Sequence, residues 1–336
     1  MKRPTAPCWF VVRILTGLLL FVLLGTMPSA IAAGLPNPFV TDPLTADEQS
    51  DRTGYLEDAI DAALDAAQAR AQAKAPPAVP KEFSVGINAP LYYNSNAAAG
   101  IAALEGNPEI ALGWSPNVTM LPFKPSVKLK ASVDRYTTVP QINEDQASGS
   151  FKLSYYDAGN DQAWSPYFFY KRESIYRATV SPWIATKNDF ALGTDKLFNF
   201  DANFRLLPAA ASSERDAMWT LGVTGYVQRR ARTPPPDSLA LYFVPSATYT
   251  ASAEWVILLT IETSGRWFDR FLTKIARRDF EVEPILTIAY DASTFLGRGA
   301  PVIALQIDND RHLINLPRKS YQQWSVGPVL SAKWKF

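Results

Sequence analysis

From Lys81 to the C-terminus the hydrophobic pattern has a period of two. The last run is the clearest. Trp324, Val326, Pro328, Leu330, Ala332, Trp334 and Phe336 fall on one side; Gln323, Ser325, Gly327, Val329, Ser331, Lys333 and Lys335 fall on the other. A second run sets Phe198, Phe200, Ala202, Phe204 and Leu206 against Leu197, Asn199, Asp201, Asn203 and Arg205. A third sets Val127, Leu129, Ala131 and Val133 against Lys128, Lys130, Ser132 and Asp134. Strict alternation is the mark of a strand with two different faces. It recurs near 83–92, 109–119, 150–156, 218–230, 238–249, 254–264, 280–291 and 302–308, and 165–173 is strand-like with unclear faces. About 12 strands are predicted. A hairpin lost or gained in 165–190 would make roughly 10 or 14.

Two architectures alternate in this way: a soluble sandwich or barrel with an apolar core, and a transmembrane barrel that is apolar outside and polar inside. Three features select the second. The runs often reach about 10 residues, the length a tilted membrane strand needs, whereas soluble strands are commonly about 5–6. Trp114, Tyr155, Trp219, Tyr249, Trp255, Tyr290, Trp324 and Trp334 lie near strand ends, as interfacial girdles require. The polar faces also carry both signs of charge, on Lys128, Lys130, Asp134, Lys152, Asp201, Arg205, Arg230, Glu254, Glu262, Arg266, Glu281, Glu283, Asp291 and Lys333. Such groups are costly in lipid but can pair in a wet lumen. The expected fold is therefore all-β, an up-and-down antiparallel transmembrane barrel. Its short turns are expected at Met120–Lys124 and Ala251–Ala253, with Asp157–Ala163, Ala209–Asp216 and Ala292–Ala300 longer. Long loops are expected on the other side at Asn94–Pro108, Ser174–Asp189, Gly265–Asp279 and Asp310–Ser320.

Two other kinds of segment precede the barrel. Met1–Ala33 has Lys2, Arg3 and Arg13, then an apolar Ile14–Leu24 core, Pro28, and the small-x-small series Ala30-Ile31-Ala32. The core is roughly half the ~20 residues of a spanning helix, so residues 1–33 read as a signal peptide cut after Ala32 or Ala33. Residues 34–80 read as a helical lead and linker. Thr45-Ala46-Asp47-Glu48 matches a capping box, and Leu56, Ile60 and Leu64 form a thin stripe on an alanine-rich helix running to about Lys74. Pro76, Pro77 and Pro80 make the connection to the barrel a stiff, extended linker. A solvated tether, a plug inside the barrel and a self-associating helix all fit this lead. Residues 81–336 are the barrel.

In pattern, though not in residue identity, residues 81–336 resemble the outer-membrane β-barrel proteins of Gram-negative bacteria. Those chains join a secretory signal to period-two strands and a last strand with an aromatic end. Val329-Leu330-Ser331-Ala332-Lys333-Trp334-Lys335-Phe336 fits that ending. The resemblance implies an outer-membrane location among lipid and lipopolysaccharide. It also implies that Trp334 and Phe336 are part of the signal read by the barrel-assembly machinery.

Composition narrows the chemistry. With 33 Lys+Arg, 32 Asp+Glu and a net charge of +1, the chain lacks the electrostatic footprint of nucleic-acid binding. Cys8, in the signal segment, is the only cysteine, and His312 is the only histidine, so neither a disulfide nor a multi-histidine metal site is expected. No phosphate-cradling or calcium loop stands out, and no cofactor is expected. His312, within Asp308-Asn309-Asp310-Arg311-His312, is the only imidazole available for nucleophilic catalysis. The outer-membrane phospholipase pattern has a serine two residues after its histidine, and that position here is Ile314. Glu281 and Glu283 point the same way from one strand and are expected to pair with lumen Lys and Arg. Phe268–Arg278 reads as a basic loop able to form a helical turn or two against lipopolysaccharide phosphates. Three functions fit these features: a channel or transporter for small polar solutes, a structural or secretion-related barrel acting through the N-terminal helix, and a hydrolase acting on lipid or lipopolysaccharide.

Overall fold

The computed structural model describes residues 82–336, apart from 99–100, 117–121, 141–142, 156–162, 178–180, 209–216, 234–235, 253, 270–276, 297–300 and 316–319. The signal segment, the helical lead, the proline linker and most of the Phe268–Arg278 loop lie outside the described residues.

Thirteen strand segments form one antiparallel sheet: β1 (Phe83–Ala98), β2 (Ile101–Gly106), β3 (Glu109–Trp114), β4 (Phe123–Tyr136), β5 (Glu144–Tyr155), β6 (Ser165–Arg177), β7 (Ser181–Phe200), β8 (Trp219–Thr233), β9 (Ser238–Thr250), β10 (Trp255–Phe268), β11 (Arg278–Asp291), β12 (Val302–Ile314) and β13 (Tyr321–Lys335). β2 and β3 are two halves of one barrel strand. Both pair with β1 in one continuous register, Leu91 with Gly106 and Asn88 with Glu109, and both pair with β4 on the other side. Pro108, which has no N–H to give the ladder, marks the break. The barrel thus has 12 strands. β13 pairs with β1 from Ser84–Lys335 to Asn94–Ser325, and this closes the sheet. Closure leaves no edge strand and satisfies the backbone internally, as a lipid-immersed sheet demands.

The two faces are sorted as an inside-out protein requires. Leu129, Leu192, Leu241 and Leu330 point outward and are more than half exposed. Asp134, Glu173, Asp189, Arg230, Arg266 and Gln323 point inward and are buried. At the end carrying the barrel's termini, outward aromatics meet across strands. Phe83 stacks on Trp114 at 6.3 Å, Phe123 meets Tyr155 at 5.9 Å, Trp219 stacks on Tyr249 at 4.3 Å and Trp255 meets Tyr290 at 4.8 Å. Towards the opposite, distal end Tyr170 meets Phe190 at 5.0 Å, and Trp267 and Phe280 face outward on β10 and β11. Between Trp255 and Trp267, β10 climbs about 30 Å, at ~3.3 Å per residue and a tilt of ~40°. That matches a hydrocarbon core of about 30 Å.

Strands run further at the distal end than the alternation predicts. Asn94–Pro108 is mostly the hairpin of β1 and β2, not a loop. Ser174–Asp189 is mostly the ends of β6 and β7, and Asp310–Ile314 is the end of β12. Gly265–Asp279 shrinks likewise to the stretch between Phe268 and Arg278. The reason is visible on the outer face, where Arg135 pairs with Asp145 and Arg229 with Asp269 and Asp237. Above the lipid band a strand no longer needs an apolar outer face, so alternation fades while the ladder continues.

The opposite error occurs after β7. The strand ends at Phe200, not near Leu206. The Asp201 carboxylate accepts the N–H groups of Asn203 (2.8 Å) and Arg205 (2.9 Å), and Phe204 takes a left-handed φ of 59°. Phe204 then stacks on Phe200 at 4.6 Å. The aromatic rhythm continues through a tight turn, and alternation alone does not distinguish that from a longer strand.

Candidate functional site

Because successive side chains alternate, inward positions of neighbouring strands line up in transverse rows on the lumen wall. One row runs Tyr167, Gly193, Tyr226, Tyr242, Ser264, Glu281, His312, Tyr321 from β6 to β13. Its aromatic part is packed around a missing side chain. A Cβ on Gly193 would lie 2.5 Å from the Tyr167 ring and 2.6 Å from Tyr226 Cβ. Tyr226 in turn stacks on Tyr242 at 4.3 Å. Glycine lets the Tyr167 ring lie down over β7, and these tyrosines with Ala191, Ala240 and Val244 make an inward cluster.

Charge surrounds this cluster. On the β3–β8 wall Lys130 Nζ lies 2.5 Å from Glu109, and Asp134 accepts from Gln146 Nε2 at 2.8 Å. Lys171 and Lys187 both approach Glu173, at 3.3 and 3.8 Å. Arg230 grips Asp189 through Nε and an Nη at 2.7 and 2.8 Å. The Lys152 ammonium reaches across β6 to Asp195 at 3.3 Å and sits 4.2 Å from the Tyr167 ring centroid. Arg266 donates to the Tyr242 hydroxyl at 2.6 Å. Such pairs keep charge inside the wall at tolerable desolvation cost, because each ion has an opposite or polar neighbour.

On the β11–β13 wall the polar groups form a chain. Arg277 holds both oxygens of Asp279, at 3.0 and 2.6 Å. Asp279 Oδ2 lies 3.2 Å from His312 Nε2, and His312 Nδ1 lies 3.1 Å from the Tyr321 hydroxyl. The ring lies 5.1 Å from that of Tyr321, centroid to centroid. Nε2 thus faces the carboxylate that Arg277 holds, and Nδ1 faces the phenol. Next to it, Glu281, Asp310 and His312 each bring one ligand atom within 4.8 Å of the others.

The predicted lumen charges fall into two groups. Lys128, Lys130, Asp134, Lys152, Arg230, Glu262, Arg266, Glu281, Glu283 and Lys333 occupy inward positions of their strands. Asp201, Arg205, Glu254 and Asp291 lie at the terminal end, in or beside turns. Asp201 shapes the turn after β7, Glu254 accepts from Ser252 Oγ at 2.8 Å, and Asp291 accepts from the N–H of Ser293 at 2.8 Å. They continue the parity of their strands, but the ladder has stopped or is stopping. Sequence reasoning missed Glu173, Lys187, Asp189, Asp279 and Asp310. It placed Lys187, Asp189, Asp310 and His312 on loops, whereas all four are buried in the wall. A signal was present: Lys187, Asp189 and Asp195 share a parity with Ala191 and Gly193, opposite Phe190 and Leu192. Trp334 and Phe336 lie on the outward side of β13, and the Phe336 N–H donates to the Phe83 carbonyl at 2.8 Å beside the closing seam.

No family model matches the chain, and no curated protein matches it. Solved structures similar to it include an outer membrane channel from Pseudomonas putida F1, with TM-score 0.48 and 9% identity over 78% of this chain and 98% of that one. The translocator domain of the autotransporter NalP from Neisseria meningitidis has TM-score 0.38 and 11% identity over 83% of this chain and 98% of that domain. LpxR from Salmonella typhimurium has TM-score 0.40 and 8% identity over 74% of this chain and 99% of its own. At these identities the likeness is one of fold alone. The chain folds as a closed 12-strand antiparallel β-barrel with an apolar outer face and a charged inner one.

Proposed function

We propose that the protein is an outer-membrane channel or transport barrel for small polar solutes. The observation that supports this reading is the inward wall, which carries paired charges of both signs on most of its strands. A barrel that only anchored another element would gain nothing from burying Lys187, Asp189, Arg230 and Arg266, where apolar packing serves stability at least as well. Polar, charged inner walls interact with polar solutes and water. In this reading residues 1–33 direct export, the barrel-assembly machinery reads Trp334 and Phe336, and lipopolysaccharide surrounds the distal outer face. Planar-bilayer recording tests the proposal, using the mature chain and a version starting near Lys81. Discrete current steps are expected from at least one of them. A folded barrel that never conducts in either form overturns it.

A second reading, an envelope hydrolase, draws on one observation, the chain Arg277–Asp279–His312–Tyr321. A carboxylate-oriented imidazole beside a hydroxyl is the arrangement that activates a nucleophile. Ester or deacylase activity on lipid or lipopolysaccharide that vanishes in His312→Ala, with the barrel still folded, would favour this reading over the first.

A further inference from the structure

We infer that the lumen wall of β11 and β12 binds a divalent transition-metal ion between Glu281, Asp310 and His312. Glu281 and His312 are direct cross-strand partners, and Asp310 precedes His312 by one inward step. One ligand atom from each lies within 4.8 Å of the others. Donors held at ~2.0–2.2 Å from one ion sit roughly 3–4 Å apart, so side-chain rotation of an ångström or less closes the site. The donors come from the sheet and not from a loop. Asp310 is fully buried and His312 is 3% exposed. Little conformational freedom is left to lose on binding.

The surroundings favour a cation in two ways. Glu281 and Asp310 bring two carboxylates together at one spot, and a cation relieves their mutual repulsion. The imidazole is already oriented, because Asp279 engages Nε2 at 3.2 Å and is itself held by Arg277. A carboxylate on one ring nitrogen is the usual support for a histidine that binds metal through the other. Nδ1 is then the metal-binding nitrogen, and the Tyr321 hydroxyl, 3.1 Å away, shifts to an outer position. One imidazole with two carboxylates suits zinc, cobalt or nickel better than magnesium or calcium, which prefer oxygen donors alone. The site depends on the barrel fold and not on conduction, so it stands or falls separately from the channel reading.

The test uses the full mature chain refolded in detergent and freed of metal by a chelator. Titration with cobalt chloride should give visible d–d absorption saturating at one ion per chain, and zinc chloride should displace it. His312→Gln and Glu281→Gln should each weaken binding at least ~10-fold, and Asp279→Asn, at a positioning residue, ~10–100-fold. Glu262→Gln, inward on β10, should leave it unchanged. Retained fast migration on unheated gels shows which variants are folded. A second measurement needs no variant: zinc should slow diethyl pyrocarbonate modification of the wild-type protein's single histidine. Absence of both the cobalt bands and the zinc protection overturns the inference. So does cobalt binding that persists undiminished in folded His312→Gln.

Discussion

Gly327 is where the barrel closes most tightly, and its replacement by alanine is the sharpest test of the seam. The residue lies on β13 beside β1. A Cβ there would lie 1.9 Å from the Leu91 carbonyl oxygen, 2.7 Å from its carbonyl carbon and 2.8 Å from Tyr92 Cα. All three are backbone atoms of the strand that seals the barrel, so no rotamer change relieves them. Separation to an ordinary contact of 3.4 Å needs about 1.5 Å of movement between β1 and β13. The same gap lets the Tyr92 hydroxyl pass over β13 to Gln306 on β12, with an O–O distance of 3.1 Å. Alanine therefore strains the seam and disturbs a cross-strand hydrogen bond. Overpacking typically costs about 1–3 kcal/mol, and with immovable backbone the expected loss lies at or above the top of that range. Gly86→Ala is the control: it also lies at the seam, on β1, but its nearest neighbour would be Ala111 Cβ at 4.0 Å. The assay is reversible urea unfolding in detergent, followed by tryptophan fluorescence and by gel mobility without heating. Equal midpoints for Gly327→Ala and Gly86→Ala would refute the reasoning.

The same geometry sets four further outcomes. Leu129→Arg places a charge on the outer face midway along β4 and should cost about 2–4 kcal/mol in a lipid bilayer, while Ser148→Lys on the inner face of β5 should cost far less; equal costs would place the outer face outside lipid. Arg230→Met strands the buried Asp189 carboxylate and should destabilise by up to about 3–5 kcal/mol, less where lumen water reaches it, whereas Asp189→Leu added to it should restore most of the loss; a double variant no better than the single would dissolve the pair as a unit. The exposed Asp269 carboxyl is held below the usual carboxylate range by its hydrogen bond from Arg229, partly opposed by desolvation. A depressed folded-state pKa stabilises above the unfolded value and ceases to do so as pH falls through the folded one, so the stability gap between wild type and Asp269→Asn should close only in acid below the ordinary Asp range; a gap that closes near pH 7 would show that another group is responsible. Deleting Phe336 should slow barrel assembly in cells more than refolding in detergent, and equal slowing would limit its role to the seam with Phe83.

The strand count and the facing of most strands were legible because lipid imposes alternation wherever it touches the sheet. The pattern runs out where lipid does. On β12, Ile303, Leu305 and Ile307 alternate cleanly with Ala304, Gln306 and Asp308, but Asn309 and Arg311 then occupy outward positions. The ladder nevertheless continues through Arg311 and His312, opposite Gln322 and Tyr321. What reads as a polar loop is a strand above the membrane. At the other end the error reverses, since Phe200 and Phe204 keep the period while Asp201 bends the chain between them. Hydrophobic alternation therefore reports contact with lipid, and reports strand only by implication.

That distinction also explains why the charged wall was harder to read than the barrel. Outer-face residues answer to one uniform solvent, so each position can be judged alone. Inner-face residues answer to one another across strands far apart in sequence. Glu281 and His312 become neighbours only once β11 and β12 are paired, and Asp279 reaches the same imidazole from two positions before Glu281. Lys152 meets Asp195 only because Tyr167 on the strand between them is inward and flat. Register, fixed by the outer pattern, determines which inner groups meet. A one-residue slip between β11 and β12 would turn His312 to the outer face and dismantle both the Asp279 hydrogen bond and the Glu281 pairing. The outer-face residues Phe280, Val282, Ile307 and Leu313, which fix that register, therefore help to hold the candidate site together.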